Sequence, residues 1–119
     1  MAADCLFVYG TLRRGSNNRF ARLLAEKAEY LSAAQVRGCL YDFGRYPGAR
    51  PGDGLIIGEI FQLREPAMTL AVLDDYEGPE FDRAVVPAHL DDARTIDCWI
   101  YWYTGTAPGN LIASGLWSR

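Results

Sequence analysis

The stretch RTIDCWIYWY, residues 94–103, decides the fold. Its side chains alternate as a strand requires: Ile96, Cys98, Ile100 and Trp102 face one way, Trp99, Tyr101 and Tyr103 the other. A strand with one wet side would carry polar residues on one of those faces. Here both are apolar or aromatic, so the strand is expected to be buried on both sides, as in a closed or strongly curled sheet. DCLFVY, residues 4–9, is apolar on both faces too and reads as a central strand. DRAVVPAHL (82–90), joined to 94–103 by a D-D-A turn, and LIIGEIFQL (55–63) are further strands, and residues 30–42 look extended.

Two helices interrupt them. Asn17 or Asn18 can cap one that runs to about Lys27, with Phe20, Leu23 and Leu24 at helical spacing. Pro66 suits the first turn of another that reaches about Tyr76, where Gly78 is placed to stop it. GRYPGARPGDG, residues 44–54, holds four glycines and two prolines and reads as a surface loop. The tail PGNLIASGLWSR looks irregular, with Leu111, Ile112 and Trp117 expected to dock on the body. The class is α+β, a single small domain over residues 1–119.

A chain of 119 residues suits one core. Its net charge of −3 leaves no basic surplus for nucleic acid or an anionic membrane. No apolar run approaches the roughly 20 residues that span a bilayer. The N-terminus lacks a basic leader, so a cytoplasmic location is expected. Cys5, Cys39 and Cys98 are odd in number, widely spaced and set in apolar runs; they read as core residues rather than a disulfide or zinc framework.

The loop FVYGTLRRGSNNRF, residues 7–20, nearly matches a phosphate-binding G-x-x-x-x-G-K-[ST] motif. Ser16 stands where the lysine belongs and Asn17 where the hydroxyl belongs. The loop has the layout of an anion cradle without the parts for triphosphate chemistry. His89 is the only histidine and no G-x-S-x-G elbow occurs, which removes a Ser-His-Asp hydrolase. No His, Asp and Glu set has metal-ligand spacing.

Carboxylates remain. LDDYEGPE, residues 73–80, sets Asp74, Asp75, Glu77 and Glu80 at a helix C-terminus, where negative charge opposes the macrodipole. Such crowding raises carboxylate pKa values, and a member that is also buried can act as a general acid/base near neutral pH. A solvated acidic helix end is the alternative. Glu59 is the rival, placed by alternation with Leu55, Ile57 and Phe61 and readable as a buried structural glutamate.

V-Y-G-T-L-R-R-G after the first strand resembles the signature of the gamma-glutamylcyclotransferase-like family, which includes gamma-glutamylaminecyclotransferases. Y-P-G-A-R-P-G-D-G, G-E-I-F-Q-L, L-D-D-Y-E-G, F-D-R-A-V-V, W-I-Y-W-Y and I-A-S-G-L-W follow in the family's order. Relatives usually read S-G-D-W in the tail, where this chain has Leu116. The resemblance implies a small mixed α/β fold around a curled, barrel-like sheet with short flanking helices.

It also implies an intramolecular reaction. The α-amine of a γ-glutamyl group attacks its own side-chain carbonyl, giving 5-oxoproline and a released amine, with no metal and no cofactor. Glu77 matches the catalytic glutamate, and Tyr9, Gly10, Thr11 and Leu12 match the segment that holds the γ-glutamyl moiety. Tyr103 matches an aromatic near the substrate, with core packing as its other reading. Arg13 and Arg14 either add charge to that anion site or face solvent. The partner implied is a small γ-glutamyl compound whose leaving amine lies over 44–54 and 78–83; the sequence carries no signal for oligomeric state. A non-catalytic binding or regulatory domain, and a different lyase or hydrolase reaction run by the same glutamate, stay open as alternatives.

Overall fold

The strand with two apolar faces is β5, Thr95–Tyr103, and it lies where the sheet closes on itself. The computed structural model describes residues 3–10 and 19–117. In chain order these form β1 Cys5–Val8, α1 Arg19–Lys27, β2 Ala28–Asp42, β3 Pro47–Leu63, α2 Pro66–Glu77, β4 Phe81–Leu90, β5 and β6 Asn110–Leu111. Pairing runs β1–β5–β4–β2–β3 and returns from β3 to β1, which closes a five-stranded barrel. The β1–β5 contact, at Leu6 and Trp99, is parallel, and the other four seams of the ring are antiparallel. β6 extends the edge beside Tyr41 and Asp42.

Closure explains the pattern of β5. Cys98 and Ile100 point into the barrel with Phe7, Val36, Ile56 and Ile60, and Ile96 and Trp102 pack against that interior. Tyr101 and Trp99 point outward into a second apolar cluster made with Leu6, Val8, Leu24, Leu70 and Leu73. The helices supply that outer cover. α1 contributes Ala21 and Leu24, and α2 contributes Thr69, Leu70 and Leu73. Pro66 opens α2, and Gly78, at φ 83, ends it with its N–H donating to the Asp74 carbonyl at 3.1 Å. The helix cap expected at Asn17 or Asn18 lies outside the described residues.

Two expectations are corrected. The glycine-rich stretch 44–54 is not a loop beyond its first residues. The turn is confined to Phe43–Tyr46, closed by the Phe43 N–H donating to the Tyr46 carbonyl at 3.1 Å. From Pro47 onward the chain pairs with β2, Pro47 opposite Asp42 and Ala49 opposite Leu40, and Ala49 is fully buried. Glycine at 48 serves packing: a Cβ there would run into the Phe43 ring and lie 3.0 Å from Tyr103 Cβ. In the tail Trp117 is buried in the barrel interior and Ile112 packs against it, but Leu111 is 60% exposed. Its neighbour pairing on the β2 edge needs only backbone, so the side chain is left outside.

Of the cysteines, Cys98 is buried, while Cys5 and Cys39 are half-buried and all three are free thiols.

Candidate active site

β1 delivers the chain to a cavity of about 370 Å³ that lies between the end of that strand, the turn before β3 and the end of α2. Tyr9, Gly10, Pro47, Glu77, Glu80 and Tyr101 are among its walls, so residues distant in sequence meet there. Of the sequence-derived site residues, Tyr9, Gly10 and Glu77 come together. Thr11, Leu12, Arg13 and Arg14 lie outside the described residues.

Glu77 is the last residue of α2 and is half-buried. Burial pushes its carboxyl from the ordinary 4.5 up to about 7. This corrects the expected cause. Crowding by neighbouring acids does not lift it: Asp75 is exposed, and Asp74 is engaged by Arg83. Burial opposes ionisation of Asp74, but the hydrogen bonds from Arg83 and Tyr101 and the charge of Arg83 outweigh it and hold that carboxyl below its usual range.

The Tyr9 hydroxyl donates to the Tyr101 carbonyl at 2.6 Å and accepts from the Ala49 N–H at 3.3 Å. Burial, and then the negative charge of Glu77, raise its pKa far above the ordinary phenol value. Tyr9 is therefore a neutral, fixed wall next to the carboxylate. Gly10 is demanded by close approach and not by a left-handed backbone: a Cβ would sit 2.8 Å from Cγ of the Pro47 ring.

Tyr103 does not line the cavity. It is buried behind it, its hydroxyl donating to Glu80 Oε2 at 2.9 Å and accepting from the Ala107 N–H at 3.2 Å. Its ring packs against Phe43 and Phe81, with centroids 4.4 and 5.5 Å away. Glu59 is half-buried on β3 opposite Val8, a cavity wall, but does not itself line the cavity. The expected buried face of that strand is also corrected, since Ile56, Gly58 and Ile60 are buried while Leu55 is 51% exposed. His89 is exposed, its Nδ1 3.0 Å from Thr95 Oγ1.

Sequence reasoning expected 44–54 and 78–83 over the leaving amine but singled out no residue of the first stretch, where Arg45, Tyr46 and Pro47 line the cavity. It also missed Tyr101, which alternation assigned to the core. Among the described residues no three His, Cys, Asp or Glu side chains converge into a metal site, and no helix is long and apolar enough to cross a membrane.

Residues 6–119 match the family described as gamma-glutamyl cyclotransferase, AIG2-like. The chain belongs to this family. It is similar to a putative gamma-glutamylcyclotransferase of Vibrio cholerae, 36% identical over 125 residues and covering 96% of this chain and 95% of that protein. The gamma-glutamylcyclotransferase family protein YtfP of Escherichia coli K12 is 33% identical over 122 residues, covering 94% of each chain. Among solved structures, an AIG2-like protein from Mus musculus superposes with a TM-score of 0.72 at 26% identity, covering 88% of this chain and 80% of that one. The small α+β domain around a closed sheet is thus the fold of AIG2-like cyclotransferases, and membership carries a gamma-glutamylcyclotransferase-type function.

Proposed function

We propose that the chain converts a γ-glutamyl amine or peptide into 5-oxoproline and a free amine, with Glu77 as the single general acid/base. The observation that carries this is a half-buried carboxylate whose burial sets its pKa at about 7, facing a cavity closed by the end of β1. Ionised Glu77 takes a proton from the substrate α-ammonium, and the freed nitrogen attacks the γ-carbonyl carbon. A C–N bond forms to close the five-membered ring. The bond from that carbon to the leaving nitrogen then breaks as Glu77 returns the proton to it, and the second proton of the ring nitrogen passes by way of Glu77 to the released amine, which departs as an ammonium. Atoms and charge balance without a metal, a cofactor or a covalent enzyme intermediate.

A carboxyl poised near neutrality suits both transfers. The cavity's second task is to fold a flexible chain into a near-attack ring, which removes conformational freedom before the chemical step. Backbone N–H groups following Tyr9 and Gly10 are the proposed partners of the α-carboxylate and the developing oxyanion. Thr11 and Leu12 belong to that proposed segment, and Tyr103 bears on the cavity only through its hydrogen bond to Glu80.

Incubation with a panel of γ-glutamyl amines and dipeptides, with detection of 5-oxoproline, tests the reading. Turnover of at least one compound, unchanged by EDTA, is expected. A rate abolished by chelation and restored by one divalent ion sinks the mechanism; absence of 5-oxoproline across the panel sinks the reaction.

A further inference from the structure

The turn that follows α2 carries both cavity carboxylates, Glu77 before Gly78 and Glu80 after it, and something must hold it against the sheet. The helix itself has no basic residue in its last turn. The missing cation comes from β4. Arg83 reaches back across the turn with Nε 2.9 Å from Asp74 Oδ1 and Nη2 3.1 Å from Oδ2, a two-point fork. Its guanidinium lies 4.2 Å from the Trp99 ring centroid, so β5 fixes the arginine from the other side. Tyr101, also on β5, donates its hydroxyl to Asp74 Oδ1 at 2.7 Å while the same side chain lines the cavity. The Asp74 carbonyl accepts the capping N–H of Gly78. Three elements are thus tied at one residue, one helical turn before Glu77.

From this arrangement we propose that Asp74, Arg83 and Tyr101 form a clasp that positions the Glu77 carboxylate in the cavity, Asp74 and Arg83 acting as positioning residues that do not touch substrate. The inference deepens the proposed cyclotransferase reading and rests on it for its rate predictions. The acidic run at the helix end then has a division of labour. Asp74 is spent on the clasp, which leaves Glu77 as the carboxylate held out of water.

The clasp is about one-third open to solvent: Arg83 and Asp74 side chains are 25% and 44% exposed. An exposed ion pair adds little to global stability. Its removal should therefore loosen the turn while leaving the fold, which separates a positioning role from a structural one.

The test uses Asp74→Asn, which keeps an oxygen for Tyr101 but loses the ion pair, and Arg83→Lys, which keeps the charge but loses the fork. The readout is the carboxyl titration of Glu77 by carbon NMR, its signal assigned by its loss in Glu77→Gln. Tyr9, Arg45, Tyr46, Tyr76, Glu80 and Tyr101 face the same cavity and keep their identity in both variants, and the Tyr101 hydrogen bond is one that the asparagine oxygen can still accept. In wild type the signal should titrate near 7. In both variants it should move down by about one unit or more as water reaches the carboxylate. With a γ-glutamyl substrate, kcat should fall about tenfold with KM changed less than about twofold, the mark of misplaced rather than missing machinery.

An unshifted Glu77 titration in folded Asp74→Asn overturns the clasp. Arg83→Lys that behaves as wild type overturns the role of the fork, and it decides the matter alone if Asp74→Asn does not fold. Wild-type protein that makes no 5-oxoproline removes the reaction, and the NMR titration still decides the clasp.

Discussion

A carboxylate on the last turn of a helix ordinarily meets water and an unfavourable dipole; Glu77 instead meets the cavity formed with Tyr9 and Tyr101. That difference makes one substitution decisive. Glu77→Gln is nearly isosteric and keeps a hydrogen-bonding end, so turnover should fall by about 10²–10⁴ while substrate affinity changes little. Glu59→Gln, at a residue that does not line the cavity, is the control and should leave the rate near wild type. 5-Oxoproline formation by both variants checks this, and a slow Glu59→Gln beside a fast Glu77→Gln would assign the chemistry to the wrong glutamate. In wild type, kcat/KM should fall as pH drops through about 7, because the base must start ionised. Gly10 supplies the second prediction at this scale. A valine there meets the Pro47 ring, an overpacking cost of about 1–3 kcal/mol that pushes a cavity wall inward. Calorimetry should show weakened binding of a γ-glutamyl ligand; unchanged affinity in a folded variant counts against the cradle. Glu77 and Gly10 were both legible in the sequence, but their reasons were not. Crowding was the local explanation for the carboxyl and room for substrate the one for the glycine, whereas burial and a proline from another strand are the contacts found, and neither is local.

At the scale of elements, α2 couples the site to stability through one titration. Glu77 has a folded pKa of about 7 against 4.5 in an unstructured chain, so between those values the folded state binds more protons than the unfolded one. The stabilisation is fully present below about 4.5 and is lost as pH rises through about 7. For a half-buried group the loss is about 1–2 kcal/mol, less than the full shift would give because solvent reaches part of it. Glu77→Gln should remove this slope and gain on wild type at pH 8 relative to pH 5. Urea denaturation at those two pH values measures it, and an equal difference at both contradicts the assigned burial. Asp74 titrates below this window and does not interfere. The helix was readable almost to the residue, since Pro66 and Gly78 are punctuation with a local mechanism. The stretch 44–54 was misread because the same residue types serve close packing: Gly48 makes room for Phe43 and Tyr103, contacts that no local rule can anticipate. Arg83 was equally hidden. Nothing in F-D-R-A-V-V says that its arginine grips the Asp74 carboxylate of a helix that ended several residues earlier.

For the whole molecule, the alternation in 94–103 carried more than any motif, because a strand with two apolar faces needs a layer on each side. The barrel interior takes Cys98 and Ile100, and the helices cover Tyr101 and Trp99, so the two apolar clusters share β1 and β5 as a common wall. Neither cluster can lose its strands without exposing the other. Unfolding should therefore be one cooperative transition, with equal calorimetric and van't Hoff enthalpies. Ile100→Ala inside the barrel and Leu73→Ala beneath the helices, both fully buried, should each lower that same transition by about 2–5 kcal/mol. Trp117→Ala should act on it too, at about 3–5 kcal/mol, since the tail's indole is buried in the barrel interior. The tail is held by backbone as well as by that ring. The Ile57 N–H donates to the Gly115 carbonyl at 2.8 Å, and Gly115, at φ 71, has no room for a Cβ against the Leu55 carbonyl. Trp117 is thus seated with the exposed apolar Leu116 as its neighbour and no carboxylate at that position. Scanning calorimetry of the three variants distinguishes the shared wall from two independent layers: a second transition that appears in Leu73→Ala but not in Ile100→Ala would mean that the helices melt off a barrel that stands alone.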